Sequence, residues 1–203
     1  MYLRTVYATG DPARIDQVLD TIRAEAPRML ASQPGYRGYG LFADRELGKI
    51  AMGSWWETEA DRENSDAQLK DRRAALLAPF AGTVTTDVWE AVVFTPPAHA
   101  GPGAGFRMVR VDVDPAGADR MVTAFRDGVL PKLQQVPGFG SATLLLDRAS
   151  GRASVGVLFA DKASMVASRG PHAAIRGEGT KAAGVVLRSL EEFEVVLLDR
   201  PGT

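Results

Sequence analysis

The sequence predicts an α+β fold of two tandem ferredoxin-like β-α-β-β-α-β modules forming an intrachain, pseudo-dimeric α+β barrel. Three observations carry that prediction: a repeat at a shift of 103 residues, the same element order in both copies, and a Pro/Gly-rich stretch between them. Pro34-Gly35-Tyr36 returns as Pro137-Gly138-Phe139, Asp11-Pro12-Ala13 as Asp114-Pro115-Ala116, and Asp44-Arg45 as Asp147-Arg148. Gly48, Gly53 and Ser65 fall on Gly151, Gly156 and Ser168. Near the end of each copy the shift becomes 104, setting Trp89-Glu90 against Phe193-Glu194, as one residue inserted in a loop would do. Module 1 is therefore expected at 1–95 and module 2 at 106–203, with a linker at 96–105 whose prolines and glycines suit neither helix nor strand interiors. His99 lies in that linker and is read as a solvated residue, not a ligand.

Each module opens with a strand, Tyr2 to Ala8 and Phe106 to Val113. A helix follows at Asp11-Pro12 and Asp114-Pro115, where Asp can cap and Pro fits the first turn. Ile15, Val18, Leu19, Ile22, Ala26 and Leu30 keep the spacing of a buried helical stripe; Ala118, Met121, Val122, Phe125, Val129 and Leu133 repeat it. Pro27 and Pro131 predict a kink or a fresh turn near the end of each helix. Arg37 to Ala43 with Lys49 to Trp56, and Ser141 to Leu146 with Arg152 to Phe159, read as hairpins closed by Asp-Arg-x-x-Gly. Thr58-Glu59-Ala60-Asp61 and Asp161-Lys162-Ala163 start a second helix, expected to be bent or in two pieces where Gly170-Pro171 breaks it. Val84 to Phe94 and Val186 to Leu198 close the modules.

A four-stranded sheet with both helices on one face leaves the other face bare, and the second copy is its natural cover. The expected assembly is a monomer with an internal pseudo-twofold axis, or a homodimer. The 24 basic and 25 acidic residues nearly cancel, so no long-range field attracts nucleic acid or an anionic membrane. No apolar run approaches a membrane span and the N-terminus reads as a strand, so a cytoplasmic protein is expected. Cysteine is absent and His99 and His172 are the only histidines, so neither a metal site nor a cofactor is expected. Phosphate-binding glycine loops and nucleophile elbows are absent too.

The element order, the Pro-Gly-Tyr/Phe turns at 34–36 and 137–139, and the run Trp55-Trp56-Glu57-Thr58-Glu59-Ala60 from strand into helix resemble the antibiotic biosynthesis monooxygenase-like family of dimeric α+β barrel proteins. The resemblance covers both modules. It implies a pocket in each module between sheet and helices, lined by the first three strands and the second helix. It also implies activities ranging from cofactor-independent oxidation of aromatic anthrones or quinols to haem degradation.

All four tyrosines and all three tryptophans sit in the first copy, where the second has only phenylalanines at the matching positions Phe139, Phe159 and Phe193. Aromatic walls with polar tips suit a planar phenolic ligand, and they equally suit plain core packing. Trp56, Tyr39 and His172 are the catalytic candidates, and Tyr7, Trp55, Asn64 and Arg4 the ligand-binding ones. Trp55 and Trp56, adjacent on a strand, point to opposite faces, and the residues alone do not choose between them. Arg4, repeated as Arg107, is either a ligand for an oxyanion or acidic substrate, or else part of an inter-strand salt bridge or an exposed edge. Asn64 either holds an enolate or peroxide oxygen or lies on a helix surface. His172 is a candidate base, but its counterpart is Leu69, so it belongs to the copy without Tyr or Trp. The leading expectation is a cofactor-independent monooxygenase-like protein for a small phenolic or polycyclic aromatic. A non-catalytic small-molecule-binding or stress-associated protein is the alternative, and haem binding through His172 stands third.

Overall fold

The computed structural model describes residues 1–96 and 101–199; His99 and its neighbours 97–100 of the linker lie outside the described residues. The chain divides into two compact units, the first comprising Met1–Trp89 and the chain from Val195 onward, the second Glu90–Glu194. Each unit is thus completed by a strand end from the other copy. The α+β class and the doubled β-α-β-β-α-β order are those the repeat predicts.

The first unit holds β1 (Tyr2–Gly10), α1 (Ile15–Ala31), β2 (Tyr36–Asp44), β3 (Lys49–Trp56) and α2 (Glu59–Leu77), with parts of β4 (Ala81–Phe94) and β8 (Val186–Asp199). β3 pairs antiparallel with both β1 and β2. That register sets Arg4, Ser54 and Tyr39 side by side, then Val6, Met52 and Leu41, while Tyr2, Trp56 and Tyr36 form the row on the other side. Because side chains alternate along strands, these rows share one face, and they pack in the core with the α1 stripe Ile15, Val18, Leu19, Ile22, Ala26 and Leu30. Tyr7, Ala51 and Phe42 pair in a row on the opposite face.

α1 follows a short 3₁₀ turn, Pro12–Arg14, capped by Asp11, whose carboxylate accepts from the Ala13 N–H at 3.0 Å. α2 opens on a full capping box. Thr58 Oγ1 accepts from the Asp61 N–H at 3.1 Å, and Asp61 Oδ2 accepts from the Thr58 N–H at 3.3 Å.

The second unit repeats the plan with β5 (Gly105–Asp112), β6 (Phe139–Asp147) and β7 (Arg152–Phe159), β7 pairing with both of the others. Its first helix is three pieces, α3 (Ala118–Ala124), a π-helical turn Phe125–Val129, and α4 (Leu130–Leu133). Pro131 has no N–H to donate and its ring crowds the carbonyl one turn back, which accounts for the widened turn. Of the kink or fresh turn expected at Pro27, the fresh turn is not formed. α1 runs through Pro27 as one helix, because one lost hydrogen bond is outweighed where Ala26 and Leu30 stay buried on either side.

The second helix of this unit is in two pieces, α5 (Lys162–Ala167) and α6 (Arg169–Ala183), as predicted. The break lies at Ser168, not at Gly170-Pro171. Pro171 falls in the first turn of α6, where a missing N–H leaves no partner unsatisfied.

Both hairpin turns end on a glycine with positive φ, 61° at Gly48 and 70° at Gly151. A Cβ at Gly48 would stand 2.3 Å from the Gly10 carbonyl oxygen, and one at Gly151 2.1 Å from that of Val113. Gly48→Ala and Gly151→Ala are each expected to cost about 2 kcal/mol, from the left-handed backbone and the clash together. Urea midpoints equal to wild type would contradict this geometry. Among the described residues, no helix is long and apolar enough to cross a membrane.

Candidate functional site

The first unit contains a pocket of about 460 Å³ of empty space, partly open to solvent, between the core face of its sheet and its two helices. Ile22, Ala26, Met29 and Leu30 of α1 form one wall and Leu69, Leu76 and Leu77 of α2 another. The polar groups converge from four elements: Arg4 of β1, Tyr39 of β2, Ser54 of β3 and Arg73 of α2.

Arg4 is buried, with Nη1 donating to Ser65 Oγ at 3.0 Å, the Arg62 carbonyl at 3.4 Å and Asp66 Oδ1 at 3.3 Å. Its guanidinium carbon lies 5.5 Å from the centre of the Trp56 ring. Burial, then the neighbouring Arg73 charge, lower its pKa to about 10, against the opposing pull of Asp66, so it remains a cation at neutral pH. Arg73 shares Asp66, with Nη2 donating at 2.7 Å, while its Nη1 is buried without a partner. The Tyr39 hydroxyl is likewise buried and unpartnered. Burial pushes the Tyr39 pKa well above that of a free phenol, so the side chain stays protonated and acts as a donor. The buried Arg4 and the partly buried Arg73 thus share one half-exposed carboxylate, and the two orphaned atoms, Tyr39 Oη and Arg73 Nη1, both belong to donor groups. Such an arrangement favours an anionic oxygen.

Of the residues singled out from sequence, only Arg4 and Tyr39 line this pocket. Trp56 is fully buried beside it, donating from Nε1 to Ser54 Oγ at 3.1 Å and meeting Tyr36 edge-on. It supports Arg4 and Ser54 from behind. Tyr7 and Trp55 occupy the opposite strand parity and face away, and Asn64 is exposed on α2. His172 belongs to the second unit. Arg73 and Ser54 were not singled out. The signal for Arg73 was available, since the shift of 103 sets it on Arg176 just as it sets Arg4 on Arg107.

The second unit treats the repeated arginine differently. Arg107 donates to Ser168 Oγ at 2.9 Å and to the Met165 carbonyl at 2.6 Å, reproducing the pin that Arg4 makes with Ser65 and Arg62. It also pairs with Glu192 on the adjacent strand β8, Nη2 to Oε1 at 2.6 Å, which is the inter-strand ion pair weighed from sequence. In place of Tyr39 and Ser54 the row beside Arg107 holds Ala142 and Val157. His172 is 4 % exposed, with both ring nitrogens unpartnered. Burial and the Arg107 and Arg176 charges lower its pKa to about 4 against the opposing pull of Glu192, so the imidazole is neutral near pH 7.

Comparison with known proteins agrees with this architecture. Two uncharacterized proteins of Mycobacterium tuberculosis (strain H37Rv), Rv2557 and Rv2558, are 28% identical over 197 residues and 27% over 201. Each alignment covers 97% of this chain, and 88% and 84% of the respective relative. A Lactobacillus acidophilus protein provisionally named a monooxygenase has the same fold, with a TM-score of 0.72 at 14% identity over 99% of this chain and 96% of its own. An anthrone oxidase-like protein superposes with a TM-score of 0.71 at 16% identity, over 100% of this chain and 93% of its own. At such identities these likenesses speak for the fold alone. The model of the antibiotic biosynthesis monooxygenase family matches residues 1–83, the stretch that contains every polar group of the first pocket. Residues 1–83 therefore carry an antibiotic biosynthesis monooxygenase domain, in a chain about twice the length of that domain.

Proposed function

We propose that the first unit is the active unit of a cofactor-independent monooxygenase acting on a small phenolic or polycyclic aromatic, of anthrone or quinol type. The observation that carries this reading is the pair of unpartnered buried donors, Tyr39 Oη and Arg73 Nη1, in a mostly apolar pocket whose other polar groups, Arg4 and Ser54, already have hydrogen-bond partners. Apolar walls accept the rings, and the donors with the Arg4 charge lower the pKa of a bound phenol or enol. The resulting anion is electron-rich enough to react with dioxygen. In an anthrone the ring methylene becomes a carbonyl, one oxygen atom entering the product and the other leaving as water. The chain's own part is to exclude water, orient the substrate and hold its oxygen as an anion. Arg4 is held by Ser65 and Trp56, so it contributes charge without having to reorganise.

Oxygen uptake on adding anthrone or a naphthoquinol, followed with an oxygen electrode, tests this reading. Tyr39→Phe and Arg73→Gln are each expected to slow uptake by about tenfold or more, the scale of losing one oxyanion donor. Wild-type rates in both variants would sink the assignment. Saturable quenching of tryptophan fluorescence by these compounds without any uptake would leave the first unit a binding module.

A further inference from the structure

The second unit has a pocket of its own, built from the positions that line the first but with different chemistry. It comprises about 570 Å³ of empty space, partly open to solvent. The repeat shows what enlarges it. Leu76, Leu77 and Phe80 of the first copy correspond to Gly179, Thr180 and Ala183, three smaller residues on one stretch of α6 that line this pocket. Phe125 and Val129, the two ends of the π-helical turn, line it as well.

Its polar groups are few. His172 lines it with both ring nitrogens buried and unpartnered. One turn further along α6 lies Arg176, half-buried, with no ion pair or hydrogen bond among the described residues. The carboxylate that serves the other arginines here is already committed. Glu192 is shared between Arg107 and Arg169, and in place of Asp66, which neutralises Arg73 in the first copy, stands Arg169. A mostly apolar pocket is thus left with one uncompensated cation and one imidazole that offers a donor and an acceptor.

We propose that this pocket is a separate binding site for a mostly apolar monoanion, such as an aryl or medium-chain carboxylate, whose acid group pairs with Arg176 and takes a hydrogen bond from His172. The apolar body occupies the space opened by Gly179, Thr180 and Ala183. The two copies thereby divide their roles: the first presents donors to a ring oxygen, the second a cation to an acid. This site stands independently of any oxidation in the first unit.

The chain contains two histidines, so the His172 imidazole proton signal is assigned by comparison with His172→Phe and reports on this pocket alone. Titrating naphthalene-2-carboxylate is expected to move that signal saturably, with naphthalene-2-carboxamide about tenfold weaker. Arg176→Gln should weaken the carboxylate about tenfold and leave the amide unchanged, and Arg176→Lys should retain most of the affinity. A signal unmoved by the carboxylate at millimolar concentration overturns the proposal. So does a half-saturation point that Arg176→Gln leaves where it was.

Discussion

Replacing Glu192 by alanine is expected to lower stability by about 3–5 kcal/mol, because it strands a buried cation. Arg107 is 1 % exposed, and its Nε and Nη2 both reach Glu192 Oε1, at 3.0 and 2.6 Å. Burial pushes the Glu192 carboxyl up, but the bonds from Arg169 and Arg107 outweigh it and hold the group below its ordinary range. The remaining partners of Arg107, Ser168 Oγ and the Met165 carbonyl, are neutral acceptors and cannot replace a charge. Asp66→Ala in the first unit should cost far less, about 1 kcal/mol, since that carboxylate is 39 % exposed and water can take its place. Removing both members of the buried pair as Arg107→Met/Glu192→Leu should recover most of the Glu192→Ala loss. Denaturant midpoints measure all three. A Glu192→Ala variant within 1 kcal/mol of wild type would mean that Arg107 reaches solvent.

The second large effect is a pH dependence centred on His172. The unfolded chain protonates this imidazole near its ordinary 6.5, whereas the folded chain resists protonation down to about 4. Between those values the unfolded state binds a proton that the native state excludes, so stability falls as pH drops through that window and is unaffected above it. Full expression of the shift corresponds to about 3 kcal/mol. His172→Leu, which installs the residue found at Leu69 in the first copy, removes the ionisation and should abolish this loss. Glu192, Asp147 and Asp161, whose folded pKa values are lowered, lose their contributions only as pH falls below the ordinary carboxylate range, so the upper part of the window belongs to the histidine. Stability curves of wild type and His172→Leu that stay parallel from pH 7.5 to pH 4.5 would show that the imidazole is protonated in the folded state.

Much of the fold was legible from sequence because it is written in local chemistry. Asp11 and Thr58 cap because a short oxygen-bearing side chain reaches the first free N–H groups of a helix. Gly48 and Gly151 close hairpins because a turn with positive φ rejects a Cβ. The α1 stripe fixes its buried face by spacing alone. The candidate site was legible only in part. Alternation separated Trp55 from Trp56, but which face of β3 would lie under helices depended on packing that no local pattern records.

By itself the sequence determined that this chain is a doubled α+β module, where its turns and caps lie, and that every tyrosine and tryptophan belongs to the first copy. Only the tertiary structure decided that Arg4, Ser54 and Tyr39 form one row with Arg73 at the same pocket, while Tyr7, Trp55 and Asn64 lie elsewhere. The physical reason is that a strand's two faces and a helix's stripe are set within a dozen residues. Whether a buried group such as the Arg4 guanidinium or the Tyr36 hydroxyl finds a partner is set instead by groups far along the chain, Ser65 at 61 positions and Asp199 at 163, brought near by the fold.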